Sequence, residues 1–120
     1  MDNITVVNLH TNPRIIPRGN GETAVKISWL QTFKNVDGNP VKYMLNLHPD
    51  RKFFFVNEDG NHERRITWEE VLTVGTKERV KEVTIIVTPE PDDMDSCMLR
   101  LDVEDSLGFF DKDKFTLIFK

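Results

Sequence analysis

The sequence predicts an all-β domain, an antiparallel two-sheet sandwich of about seven strands. Three observations carry this. Apolar and polar residues alternate with period two along most of the chain, the pattern of strands with one face in a core and the other in water. The alternating runs are separated by clusters of Gly, Pro, Asn and Asp that read as turns. No long helical period lies between them, which excludes a βαβ arrangement.

The runs come in this order. Residues 4–10 open with Ile4 to Leu9. In 22–33, Val25, Ile27 and Trp29 alternate with Lys26 and Ser28. In 41–48, Tyr43, Leu45 and Leu47 alternate with Met44, Asn46 and His48. A short run, 52–57, holds Phe53, Phe54, Phe55 and Val56. In 81–88, Val83, Ile85 and Val87 alternate with Thr84 and Ile86. Cys97, Leu99, Leu101 and Val103 supply the inward positions of 96–104, and Phe115, Leu117 and Phe119 those of 114–120. Turn clusters stand at Asn12-Pro13, 17–21, 37–40, 48–50, 57–61 and 89–93.

Segment 58–80 departs from the pattern. Thr67-Trp68-Glu69-Glu70 reads as a capping box, with Val71, Leu72 and Val74 after it and Gly75 as a stop. One short helix in a crossover between the sheets is therefore expected. The competing reading is a strand from Arg64 to Trp68 and another from Val71 to Val74, since β-branched residues are frequent there. Strand parity favours the helix, because one added strand would reverse the direction of every later one. On this order the loops 34–40, 58–80 and 105–113 gather at one end of the sandwich.

The chain of 120 residues is sized for a single domain, 1–120. Its 38% hydrophobic and 30% charged residues belong to a globular chain, and eight Phe, two Trp and one Tyr can fill a core without disulfides. A net charge of −4 argues against nucleic acid as a partner, because phosphate binding needs a dense basic field. Cys97 is the sole cysteine, which mildly favours a reducing, cytoplasmic compartment. The start Met1-Asp2-Asn3-Ile4 lacks the basic and apolar regions of a signal peptide, and no run reaches the length of about 18 apolar residues that a membrane span needs.

The run Met98 to Gly108, followed by Asp111 and Phe115-Thr116-Leu117-Ile118-Phe119, resembles the last hairpin of bacterial immunoglobulin-like and PKD-like modules. Those modules carry an alternating strand, an Asp, a Gly turn and a short Phe-Thr-Leu strand. The N-terminal part of the chain is similar to them too, with a strand, a Pro-rich bend with Gly19, then a strand ending in Trp29. The resemblance implies an immunoglobulin-like sandwich that serves as a scaffold, spacer or ligand-presenting domain. The disulfide pair of antibody-type domains is absent.

No catalytic constellation emerges. His10, His48 and His62 lack zinc spacing, Cys97 alternates with core residues, and Gly19-Asn20-Gly21 lacks the Lys-Ser/Thr of a phosphate loop and precedes a strand. The chain is accordingly expected not to be an enzyme and to need no cofactor. Arg64-Arg65 and the other basic residues lie dispersed among acids, as on a mixed solvated surface. Calcium is the one metal with a candidate site, formed by Asp37 with Glu104, Asp105, Asp111 and Asp113 at the same end, although these do not follow EF-hand spacing. The stronger candidates are surplus aromatics. Phe53, Phe54 and Phe55 run consecutively, so one ring must face away from the core, while Phe109 and Phe110 sit at a turn. Exposed aromatics mark interfaces. The sequence therefore points to a non-catalytic interaction or structural module with a protein partner or self-association. The alternative is a small-ligand module, for calcium or for a carbohydrate stacked on Tyr43, Trp68 or an exposed Phe.

Overall fold

The computed structural model describes residues 4–17, 21–33, 40–47, 53–71, 78–89, 95–106 and 108–120. The turns expected at 18–20, 37–39, 48–50 and 90–93 lie outside these residues, as do Leu72, Val74 and Gly75. Among these residues ten strands form two five-stranded sheets: β1 Ile4–Asn12, β2 Ile15–Ile16, β3 Thr23–Phe33, β4 Pro40–Leu47, β5 Phe53–Val56, β6 His62–Glu63, β7 Arg65–Val71, β8 Glu78–Pro89, β9 Ser96–Asp105 and β10 Phe110–Phe119. One sheet runs β1-β3-β8-β5-β6 and the other β2-β10-β9-β4-β7. Every pairing is antiparallel except β2 with β10.

The alternation read from the sequence is the packing rule of the core. Val25, Ile27, Trp29, Tyr43, Leu45, Leu47, Ile85, Val87, Cys97, Leu99, Leu101, Val103, Leu117 and Phe119 are all buried between the sheets. Strand β1 changes phase partway. Its pairing with β3 passes from Val7 opposite Leu30 to His10 opposite Ser28, and Asn8 takes a φ of 59°. Two residues, Asn8 and Leu9, thus face one. The bulge turns Leu9 and Thr11 inward after Ile4 and Val6, where uninterrupted alternation would have buried Asn8 and His10. An Asn tolerates the left-handed conformation at modest cost.

The expected helix is not seen among the described residues: Thr67-Trp68-Glu69-Glu70 lies within β7, paired with β4 from Pro40↔Val71 to Asn46↔Arg65. The capping-box letters coincide with a strand whose inward positions are Ile66, Trp68 and Glu70. Glu70 can occupy such a position because Lys81, from the opposite sheet, donates to both its carboxylate oxygens at 2.7 Å. Parity survives because two strands were added, not one. Strand β6 runs down and β7 runs up, so β8, β9 and β10 keep their expected directions, and Phe33, Pro40, Asp105 and Phe110 still lie at one end. Residues 53–56 also differ from expectation. The crossover between sheets expected over 58–80 comes earlier: β5 pairs with β8, Phe53↔Pro89 to Val56↔Ile86, and β7 takes the place beside β4.

The far side of the core is aromatic. Tyr43 and Trp68 are register partners and stack at 5.1 Å, with Trp29 tilted against both. The buried polar atoms form a chain, Trp29 Nε1 donating to Gln31 Oε1 at 2.9 Å and Gln31 Nε2 to the Tyr43 hydroxyl at 3.0 Å. Burial pushes the Tyr43 phenol up to about 12, with Glu70 adding to the rise and the Gln31 bond and Arg79 opposing it. Below pH 10 the phenol is neutral whether the chain is folded or not. Between pH 10 and about 12 the unfolded chain ionises first, so this group's stabilisation is lost as pH climbs. The expected loss is about 2–3 kcal/mol by the top of that window. Denaturant titrations of the wild type and Tyr43→Phe across the window check this: the gap between the two should narrow as pH rises.

Candidate interaction surfaces

The β9–β10 turn is built around Asp105. Its backbone N–H donates to the Phe109 carbonyl at 2.9 Å, and its Oδ1 accepts the Phe109 N–H at 3.0 Å. Gly108, at φ 90°, donates to the Asp105 carbonyl at 3.3 Å, a conformation that suits a residue without Cβ. This buried carboxylate closes the hairpin so that the next two side chains leave the core. Phe109 is 46% exposed and Phe110 64%.

Among the described residues, seven large hydrophobic side chains are exposed, and five of them, Val7, Val71, Val80, Phe109 and Phe110, lie towards the same end of the sandwich. A random scatter would not favour one end. Val7, Leu30 and Val80 form one row across the outer face of the β1-β3-β8 sheet, Val7↔Leu30 and Leu30↔Val80. Strand β10 meets the β1 end of that row, since Asp111, next to Phe110, bonds the Val6 N–H at 2.7 Å. Val71, 63% exposed, marks the same end on the other sheet, opposite Pro40. The two Phe residues are legible in the sequence because a turn is hard to reach from a core. Val7, Val71 and Val80 are not, because they join them only through strand register.

The other aromatic candidates fall elsewhere. Phe55 is fully buried, the inward position of a strand paired with β8, and packs in the core. Phe54 faces outward, yet the Arg64 guanidinium lies over its ring at 4.8 Å and His62 stacks against it at 5.4 Å. Strand β5 carries Phe53, whose side chain is outside what the structure describes. The Tyr43 ring proposed for sugar stacking is buried and held by Gln31, and Trp68 stacks on it from the core side.

Of the five acids picked out for calcium, the four that are described form no metal-holding group among themselves. Asp37 is outside the described residues. Asp105 organises the turn. Asp111 Oδ2 accepts the Val6 N–H at 2.7 Å and Asp113 Oδ2 the Leu9 N–H at 2.9 Å, so both serve the backbone of edge strand β1 at its bulge. Glu104 stands on the outer face between Phe110 and Lys42. Among the described residues no group of three or more His, Cys, Asp or Glu side chains is placed to hold a metal ion.

Two facing sheets, with β1 and β2 divided between them and β7 beside β4, define an immunoglobulin-like sandwich. No protein-family model matches the chain, and no curated protein matches it. Among solved structures it is similar to a FixG-related protein from Vibrio parahaemolyticus, at 14% identity and TM-score 0.55 over 100% of this chain and 99% of that one. It is also similar to BcpA, the major pilin subunit of Bacillus cereus, at 10% identity and TM-score 0.54 over 97% of this chain and 40% of the pilin. At these identities the likeness establishes the fold.

Proposed function

We propose that the domain is a non-catalytic interaction or structural module whose contact surface is the apolar end carrying Phe109 and Phe110. The observation that supports this most is the clustering of exposed apolar side chains at that end, on a hairpin that Asp105 holds in place. Exposed apolar surface gathered in one place is what a docking site needs, whereas single surface hydrophobics are ordinary. Aromatic side chains carry most of the energy in such contacts. The fold supports the reading in a general way, since a major pilin subunit is built on it.

The test is solution mass over a concentration series, by size exclusion with light scattering, for the wild type and the Phe109→Ser/Phe110→Ser double variant. The wild type is expected to gain mass with concentration and the variant to remain at 14.0 kDa with an unchanged circular-dichroism spectrum. A variant that associates like the wild type would move the contact surface elsewhere. An unfolded variant would place both rings in the framework.

A further inference from the structure

The outer face of the second sheet carries a basic row that no single stretch of sequence reveals. Strand register sets Lys114 beside Arg100, Arg100 beside Asn46 and Asn46 beside Arg65. The four residues alternate away from the core, so they share one face and span about 14 Å, three inter-strand steps of about 4.8 Å. They line an open groove of about 710 Å³ together with Leu47, Glu63, Arg64 and Met98. Among the described lining residues Arg64, Arg65, Arg100 and Lys114 stand with Glu63, and Asp102 pairs with Arg100 from the next row, so the groove is basic in a protein whose net charge is −4.

The row is also pre-organised. Arg65 Nε donates to Asn46 Oδ1 at 2.8 Å, Asn46 Nδ2 to Asp102 Oδ2 at 3.0 Å, and Arg100 Nε to the same Asp102 oxygen at 3.1 Å. Each guanidinium is anchored through Nε, and no bond among the described residues uses its terminal amino groups. Fixed guanidinium forks suit carboxylates, which they bind through two parallel bonds. Arg64 adds charge at the rim while its face covers Phe54.

We propose that this groove binds an acidic, extended segment of a partner protein, through Arg65, Arg100 and Lys114. The volume lies within the 300–1,000 Å³ typical of ligand sites. An extended chain places alternate side chains on one face about 7 Å apart, so two or three carboxylates fit the row. The neighbouring row sets Asp102 opposite Lys112, and the next sets Lys42 between Glu104 and Glu69, so the positive excess is confined to the Arg65, Arg100 and Lys114 row. Such a field fits a short acidic strand better than a polyphosphate backbone, which needs a continuous basic track. This site does not rest on the apolar end: it lies at the opposite half of the sandwich, on the outer face of the β2-β10-β9-β4-β7 sheet.

The probe is a fluorescently labelled octapeptide of alternating Asp and Ser, titrated by anisotropy at about 50 mM salt, where the Debye length still lets surface charges act. Saturable binding is expected. Each of Arg65→Gln, Arg100→Gln and Lys114→Gln should weaken it about fivefold or more. Lys26→Gln, on the outer face of the other sheet, makes the same change in net charge and should leave it within about twofold. Asp102→Asn should tighten binding severalfold by removing a competing carboxylate while keeping an acceptor for Arg100, a result that structural damage could not produce. Phe109→Ser/Phe110→Ser should bind the peptide as the wild type does, which separates this site from the apolar end. The proposal is overturned by an absence of saturable binding, by affinity that none of the three variants changes, or by a single-stranded oligonucleotide that binds as tightly as the peptide.

Discussion

Trp29→Ala will bring the domain to the edge of unfolding. The indole is buried at the meeting point of the two sheets, against Tyr43 and Trp68. Removing a large buried aromatic costs about 3–5 kcal/mol through lost transfer energy and the cavity left behind. It also strips Gln31 Oε1 of its donor in a buried site, adding about 1–3 kcal/mol. Domains of this size have about 5–15 kcal/mol in total, so much of the stability disappears. Urea denaturation followed by circular dichroism measures the loss directly. Trp29→Phe refills much of the volume and should cost markedly less; if the two variants were equal, the hydrogen-bonded chain rather than packing would dominate.

The second large effect is expected at two acids that look at first like metal ligands. Asp111→Ala and Asp113→Ala each leave a backbone N–H of β1 without its carboxylate acceptor, Val6 in one case and Leu9 in the other. Hydrogen bonds to charged groups contribute about 1.5–3 kcal/mol each, so the double variant should lose about 3–6 kcal/mol. The loss should be similar with calcium or with chelator present. Asp→Asn at either site keeps an acceptor oxygen and should be milder. If calcium instead raised the wild-type melting midpoint and the alanine variants abolished that rise, a cation site would replace this structural role. The same bonds protect the molecule, since they occupy N–H groups on an edge strand that could otherwise template pairing with another chain.

The strands that the sequence displays clearly are those whose burial is one-sided and regular. Val25, Ile27 and Trp29 in β3, and Cys97 to Val103 in β9, alternate without a break, and the core follows them. Legibility failed where an inward position was polar or where register changed. Strand β7 reads as a helix start because Glu70 sits at an inward position, and only its ion pair with Lys81 of the opposite sheet explains it there. The bulge in β1 is invisible without the partner strand, and so is its dependence on Asp111 and Asp113, over 100 residues away in the chain. The same holds for surfaces. Phe109 and Phe110 are visible as turn aromatics, whereas Val7 and Val80, or Lys114, Arg100 and Arg65, come together only through hydrogen-bond register across several strands. Non-local pairing is the information that a linear reading of alternation lacks.

These contrasts set what the apolar end must show. If Phe109 and Phe110 serve contact and not the core, removing them must spare the fold that Trp29 and the two acids maintain. Chemical denaturation of Phe109→Ser/Phe110→Ser, read beside its association, is the most direct measurement. A contact role predicts stability within about 1 kcal/mol of wild type, as for surface substitutions, together with lost association. A loss of several kcal/mol, or association unchanged, would contradict it.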